Sequence, residues 1–346
     1  MLFKKVTNYA DFNSTQDEKS IFFKPYLIKT CGWLIILATL LSSSSCAQNK
    51  NDATAEDKSL RKLDHQKEGM LFKLQYGHSD CSYEILLNDM PVVTYFGLGE
   101  HAGLTIDINQ YILIPGKQEI TIRLYSPKKE ENLFRKSLSK NSFVKIAVTK
   151  NKEPMSMLDQ LNAKDKGNKY QWETLVYQTP NLAKEVSYSE YKTSFEVDAK
   201  DLTWKVLGWR KSKQLSSDPN IRKEVDAFYS NYKKVLEEGD RDRFLSLIRN
   251  KVQEEAASQP WNKEMKSQLT KDMSDYAVEK RDFKYPCKNA TLKFYGNGKV
   301  VTLVCEDVIT FGYSPLISKT AKNLMPKSHI FYLHKPEGSD RLEIIR

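Results

Sequence analysis

The 346-residue sequence is poor in the side chains that build metal and covalent chemistry. It has five histidines, His65, His78, His101, His329 and His334, and no two stand at the i, i+4 spacing that lets one helix face hold zinc. There is no Cys-x-x-Cys, so neither a zinc ribbon nor a dithiol redox site is expected, and no metal site is assigned. The run Gly97-Leu98-Gly99-Glu100-His101-Ala102-Gly103 misses the dinucleotide-loop spacing by one, and no helical pattern follows it. Gly312-Tyr313-Ser314-Pro315-Leu316 lacks the second glycine of a nucleophile elbow. A phosphate-binding loop is also missing. These gaps leave no catalytic residue and no cofactor to assign, and they favour a non-enzymatic chain. No apolar run approaches the roughly 20 residues of a membrane-spanning helix.

What is present is a globular composition with a basic surface. Hydrophobic residues make up 40% and charged residues 28%, and 18 Tyr with 15 Phe suit packed sheets. The net charge of +10 comes from lysines spread along the chain. Such a surface can be simply solvated, or it can attract anionic lipid, glycan or an acidic protein. No nucleic-acid-binding motif accompanies it, so nucleic acid is not an expected partner.

The longest apolar run, Trp33 to Leu41, follows Lys24 and Lys29 and has the length of a signal-peptide core. Ser42 to Ser45 lead into Cys46, Ala47 and Gln48. This arrangement resembles a bacterial lipoprotein signal, which implies cleavage before Cys46, lipidation of its thiol and a place in the cell envelope at the outer membrane. Ser43 stands where that family prefers Leu, and about 30 residues that include Asp11, Asp17 and Glu18 precede the run. Ser45-Cys46-Ala47 also fits an ordinary small-x-small site, which would release a soluble periplasmic protein beginning at Gln48. Residues 1–45 are thus read as a signal peptide. Residues 46–68, polar and nearly devoid of large apolar groups, are read as a flexible tether.

Two folded regions are expected beyond it, in an α+β fold class. Over 69–212 the period is two. Leu71–Tyr76, Tyr83–Leu87, Val92–Phe96, Leu104–Ile108, Ile120–Tyr125, Phe143–Val148, Tyr170–Tyr177 and Tyr191–Val197 read as strands, with Asn88-Asp89 as a tight turn. Short strands without a strong helix argue an antiparallel β-sandwich. The stretch Ile108 to Ile122, with its Leu-Ile-Pro-Gly element, resembles jelly-roll accessory domains; it carries over no ligand residue. Lys128–Lys140 and residues 150–168 read as charged loops. Trp204 and Trp209 would either plug an interface between the two regions or offer a stacking platform for a sugar.

Over 218–346 the period becomes 3.6. Asp218-Pro219 starts a first helix with Asp218 as cap, Gly239 ends it, and Asp240 caps a second. A third runs from about Asn262 to Glu279. Strands return at Ala290–Phe294 and Val301–Cys305 around Asn297-Gly298, in a register that sets Leu292 opposite Leu303 and Phe294 opposite Val301. Ser328–His334 and Arg341–Ile345 form another pair. Three helices followed by an antiparallel sheet, with Phe228-Tyr229 and Glu238-Gly239-Asp240 at the opening, resemble the cone-shaped nuclear-transport-factor-2-like fold. That resemblance implies a pocket, whose candidate residues by position are His329, Asp307 and Tyr276. It transfers no catalytic role. His329 and His334, five apart in one strand, would face opposite sides.

With Cys31 in the leader and Cys46 lipidated, three cysteines remain. Cys287 and Cys305 flank one hairpin and are candidates for a disulfide, if the chain bends back at Pro286. Cys81 reads as a quiet thiol. The expected function is a non-enzymatic, membrane-tethered envelope lipoprotein that binds a protein or glycan. Alternatives are an envelope immunity or accessory factor blocking a secreted toxin, and a small hydrolase using the cone pocket.

Overall fold

The structure is a computed structural model that describes residues 69–99, 103–153, 171–259, 263–283, 287, 289–320 and 326–346. Residues 1–68, which include Cys46 and the segments read as a signal peptide and a tether, lie outside the described residues, as does most of 150–168. The fold is α+β: antiparallel sheets come first, then three helices packed with further antiparallel sheets.

The first sheet has the order β4 (Leu104–Asp107), β1 (Gly69–Ser79), β8 (Phe143–Glu153) and β9 (Gln171–Gln178). The second has β10 (Tyr188–Val197), β5 (Gly116–Tyr125), β2 (Ser82–Leu87) and β3 (Met90–Tyr95). Asn88 and Asp89 both take left-handed φ, 52° and 61°, which joins β2 to β3 in the two-residue turn whose twist matches the strands. Alternation points Phe72 and Leu74 from one sheet toward Ile85, Ile120 and Ile122 from the other, in one shared core. Each such side chain contributes about 1.5–3 kcal/mol on burial. The 128–140 segment is not a plain loop: β6 (Lys128–Glu130) and β7 (Leu133–Phe134) form a small hairpin. It is pinned because Lys128, itself buried, donates from Nζ to the Ile309 carbonyl at 2.9 Å.

Helix α1 spans Ile221–Glu238, α2 Arg241–Ser258 and α3 Lys263–Val278. Asp218 does not cap α1 directly. Its carboxylate takes the Asn220 N–H at 2.9 Å and the Lys335 ammonium at 3.0 Å, and the helix begins beyond it. Gly239 ends α1 at φ 66°, and Asp240 accepts the Arg243 N–H at the start of α2. After β11 (Arg281–Asp282), the sheet β12 (Ala290–Tyr295), β13 (Val300–Cys305), β16 (Leu333–His334) and β17 (Glu343–Ile344) covers the helices. Its hairpin register sets Leu292 opposite Leu303 and Phe294 opposite Val301. The expected long strand over Ser328–His334 is split. β15 (Lys327–Ser328) pairs with β14 (Ile317–Thr320), while β16 pairs with β13 and β17, because the chain crosses from one sheet to another between them.

Alternation in this third sheet serves two cores. Val301, Leu303, Leu333 and Ile344 pack with Val225, Tyr229, Phe244 and Ile248 of the helices. Their chain neighbours Val300 and Ile345, with Tyr295 opposite Val300, belong to the core of the first two sheets. The third sheet therefore lies between the helices and the outer surface of the second sheet. All six residues of β2 and all six of β13 are buried for this reason. Trp204 and Trp209 are both buried in the same first core, and Trp204 donates to the Ile112 carbonyl at 3.1 Å.

Candidate functional site

The pocket residues inferred from position separate into two places. Tyr276, on α3, and His329, between β15 and β16, meet: the Tyr276 hydroxyl lies 2.7 Å from His329 Nδ1. Asp307 lies in the segment after β13, where its carboxylate takes the Asn289 N–H at 3.3 Å. Ser318 of β14 completes the first group, with Oγ 2.7 Å from His329 Nε2. One ring nitrogen of a neutral imidazole donates and the other accepts, and both hydroxyls can answer either need.

The surroundings of His329 are aromatic and cationic. Phe283 and Tyr232 stack about it with ring centroids 5.3 and 6.2 Å away. The Arg281 guanidinium lies 4.0 Å from the Tyr276 ring centroid, and the Lys327 ammonium 4.4 Å from it. Arg281 also donates to the carbonyls of Tyr276 and Glu279, closing the open C-terminal end of α3. His329 is 4% exposed. Burial, then the cations Arg281 and Lys327, push its pKa down to about 3. Burial pushes the Tyr276 hydroxyl up to about 12. The group is thus neutral across the physiological range.

His334 repeats the pattern. Its Nδ1 lies 2.7 Å from Ser212 Oγ, and burial followed by Arg346 lowers its pKa to about 4. Rather than facing opposite sides of one strand, the two histidines lie on either side of the crossing between β15 and β16, and both are buried. Ser318, Ser212 and Arg281 carried no sequence signal for these roles. Serines of one strand or loop meet histidines of another only through the sheet pairing.

A Ser–His contact with a hydroxyl on the second ring nitrogen has the outline of a nucleophile–base pair. Its electrostatics run the other way. General-base catalysis needs an imidazolium to be reachable, usually with a carboxylate behind it, and here the charges acting on His329 are two cations. Ser318 is 1% exposed, so no substrate carbonyl can reach its Oγ without opening the fold.

Two further features complete the picture. A disulfide joins Cys287 to Cys305, with 5.8 Å between Cα atoms, and ties the segment before β12 to the end of β13. Cys81 is a buried thiol outside the disulfide that donates to the Phe143 carbonyl at 3.4 Å. Among the described residues no group of three or more His, Cys, Asp or Glu side chains is placed to hold a metal ion, and no helix is long and apolar enough to cross a membrane. No family model, curated protein or solved structure matches the chain.

Proposed function

We propose that the protein is a lipid-anchored cell-envelope protein that acts as a binding or protein-interaction module rather than as an enzyme. The observation that carries the non-enzymatic part is the sealing of both Ser–His pairs. Each histidine is at least nine-tenths buried with a cation acting on it. His329 has hydroxyls on both ring nitrogens, the arrangement of a histidine that satisfies hydrogen bonds in a core, while His334 has the Ser212 hydroxyl on Nδ1 and a buried Nε2 with no hydrogen-bond partner. The hydrolase alternative requires an acidic partner behind His329, and the neighbours found there are Tyr276, Arg281 and Lys327.

The envelope location rests on the lipoprotein-like sequence through Cys46, and a disulfide between Cys287 and Cys305 suits an oxidising compartment. The paired sheets with Ile108–Ile122 within them are consistent with a jelly-roll-like unit, and the three helices on an antiparallel sheet with a nuclear-transport-factor-2-like one. In the second unit Tyr229, Tyr232, Phe244 and Phe331 fill the space between helices and sheet, which supports a packed core in place of an enclosed ligand pocket. A ligand, whether protein or glycan, is then met on the outside of the body.

Intact mass of protein purified from membranes tests the anchor. The expected mass begins at Cys46 and includes acyl chains; a mass beginning at Gln48 with no lipid would refute it. Pull-down from solubilised envelopes tests the binding role. Recovery of one stable partner, or retention on envelope glycan, is the expected result; turnover of an ester or amide substrate that Ser318→Ala abolishes would sink the non-enzymatic reading.

A further inference from the structure

Beyond the anchor itself, we propose that the end of the body where β1 begins is a contact surface for an anionic lipid bilayer. The proposal deepens the anchored reading and rests on it for the presence of a membrane nearby. Two chain segments build the surface. The loop Ile112–Gly116 ends in Ile114, which is 46% exposed. The turn Trp204–Trp209 ends in Leu207, which at 59% is the most exposed large hydrophobic residue of the described chain.

The two tips are held together from beneath. Trp204 Nε1 donates to the Ile112 carbonyl at 3.1 Å. Gly208, at φ 53°, lies so close under Leu113 that a Cβ there would stand 2.7 Å from its methyl carbons. Gln118 holds the Ile114 carbonyl at 3.0 Å, and Glu254 of α2 accepts the Gly208 N–H at 2.8 Å. The apolar tips are therefore presented by a braced scaffold, and they are left out of the core they stand beside.

Position and charge identify what they would meet. Asn109 binds the Met70 carbonyl at 2.9 Å and accepts the Phe72 N–H at 2.7 Å, so the entry of the chain into β1 lies beside this loop. Gly69 is the described residue nearest to Cys46 along the chain, and the residues between them can span at most about 80 Å. Around Leu207 the exposed charged chain neighbours are cationic: Lys205, Arg210 and Lys211. Among the acids close by, Glu337 is exposed beside Lys211, whose carbonyl takes its N–H at 2.9 Å, so Lys211 is offset and the cations that count are Lys205 and Arg210; Asp198 lies 3.6 Å from Lys200. Glu254 is taken by Arg346 at 2.8 Å, and Asp340 by Lys213 at 2.6 Å. Lys117 is not counted, because it faces Glu196 across the β5–β10 pairing.

A second exposed apolar tip differs in place and in the charge around it. Leu133, Val308 and Ile309 have both signs as chain neighbours, Glu130, Glu131 and Glu306 together with Lys129, Arg135 and Lys136. They also lie toward the far end of β1, where Asp80 binds Arg135. Aliphatic tips ringed by cations, beside the point of attachment, fit the boundary between anionic headgroups and acyl chains. The tip of mixed charge, at the far end of β1 from the attachment, does not.

The test uses full-length protein purified from membranes, reconstituted into vesicles of phosphatidylglycerol and phosphatidylcholine, with phosphatidylcholine vesicles and detergent as references. Backbone hydrogen exchange is the readout. Amides of Leu113–Lys117 and Lys205–Lys211 are expected to exchange about tenfold more slowly in the anionic vesicles than in detergent. About 0.5 M salt should relieve part of that protection. Leu207→Glu, a change at an exposed turn, should remove most of it while leaving exchange in β2 and β13 unchanged. Equal exchange in vesicles and detergent overturns the proposal, as does protection centred on Leu133 and Ile309. Protection already present in detergent that scales with protein concentration overturns it in favour of a second copy of the chain.

The two readings fail separately. An acylated protein without this protection loses the surface and keeps the anchor. Should the protein begin at Gln48, anionic vesicles added to it in solution must still protect both segments; if they do, the surface stands without the anchor, and if they do not, both fall.

Discussion

Replacing Glu84 with glutamine should destabilise the whole body by about 2–4 kcal/mol, because its carboxylate is a buried junction between two sheets. Glu84 is 2% exposed on β2. It accepts from the Tyr125 hydroxyl at 2.8 Å, the Lys293 ammonium at 3.1 Å and the Tyr295 hydroxyl at 3.2 Å, and Arg123 lies 3.6 Å away. Tyr125 belongs to the second sheet, whereas Lys293 and Tyr295 belong to β12 of the third. The amide keeps the shape but loses the charge, so the Lys293 ammonium faces a dipole, while Arg123 keeps Glu190 at 2.9 Å. Lys293 and Arg123 are 29% and 26% exposed, which lets solvent soften the loss and places the cost below that of a fully buried broken pair. The exposed pair Lys192–Glu119, 58% and 48% exposed, is the internal control, and Lys192→Ala should cost no more than about 0.5 kcal/mol. Urea unfolding followed by circular dichroism and by tryptophan fluorescence measures both. Since the third sheet shares a core with the first two, the two signals should coincide in a single transition that moves as one in the Glu84→Gln protein. Two separated transitions, or a Glu84→Gln cost no larger than that of Lys192→Ala, would refute the layered arrangement and the role of Glu84 in it.

Acid should weaken the fold before the carboxylates titrate. His329 and His334 have folded pKa values lowered to about 3 and about 4 from 6.5, so the unfolded chain takes up protons first. Stability is then full above about pH 6.5 and falls as pH drops toward those values, by several kcal/mol in all; urea midpoints from pH 7 to 4 should show the decline, and His329→Asn should flatten it. Reducing the Cys287–Cys305 bridge, which closes a sequence separation of 18, should cost about 3 kcal/mol, read as a lower melting temperature in reductant; an unchanged melting temperature would deny the bridge a role. Gly296→Ala should cost about 2–4 kcal/mol and Gly338→Ala about 1 kcal/mol, by urea titration. Both glycines have left-handed φ, but a Cβ on Gly296 would stand 2.6 Å from Trp209, while nothing lies within 4 Å at Gly338. Equal costs would place the penalty in the backbone alone.

The alternating and helical periods along the chain were enough to set out the elements in order. β2, β3, β5 and β8, the three helices and the β12–β13 register follow from spacing, because each buries one face and the face is written in the period. The Asn88-Asp89 turn was legible for the same local reason. The proposed anchor at Cys46 rests on the sequence alone. Sequence alone could not show that β2 and β13 are buried on both faces, since a polar Glu84 in an otherwise apolar strand reads as an outward residue until another sheet is laid against it. Nor could it show that Ser318 and Tyr276 flank His329 while Asp307 stands elsewhere. The two contacts of His329 join residues 11 and 53 positions apart, and they exist only because the chain crosses between sheets after β15. Local chemistry determined the elements; the stacking of sheet on sheet decided which polar side chains became sealed and which apolar ones were left facing outward.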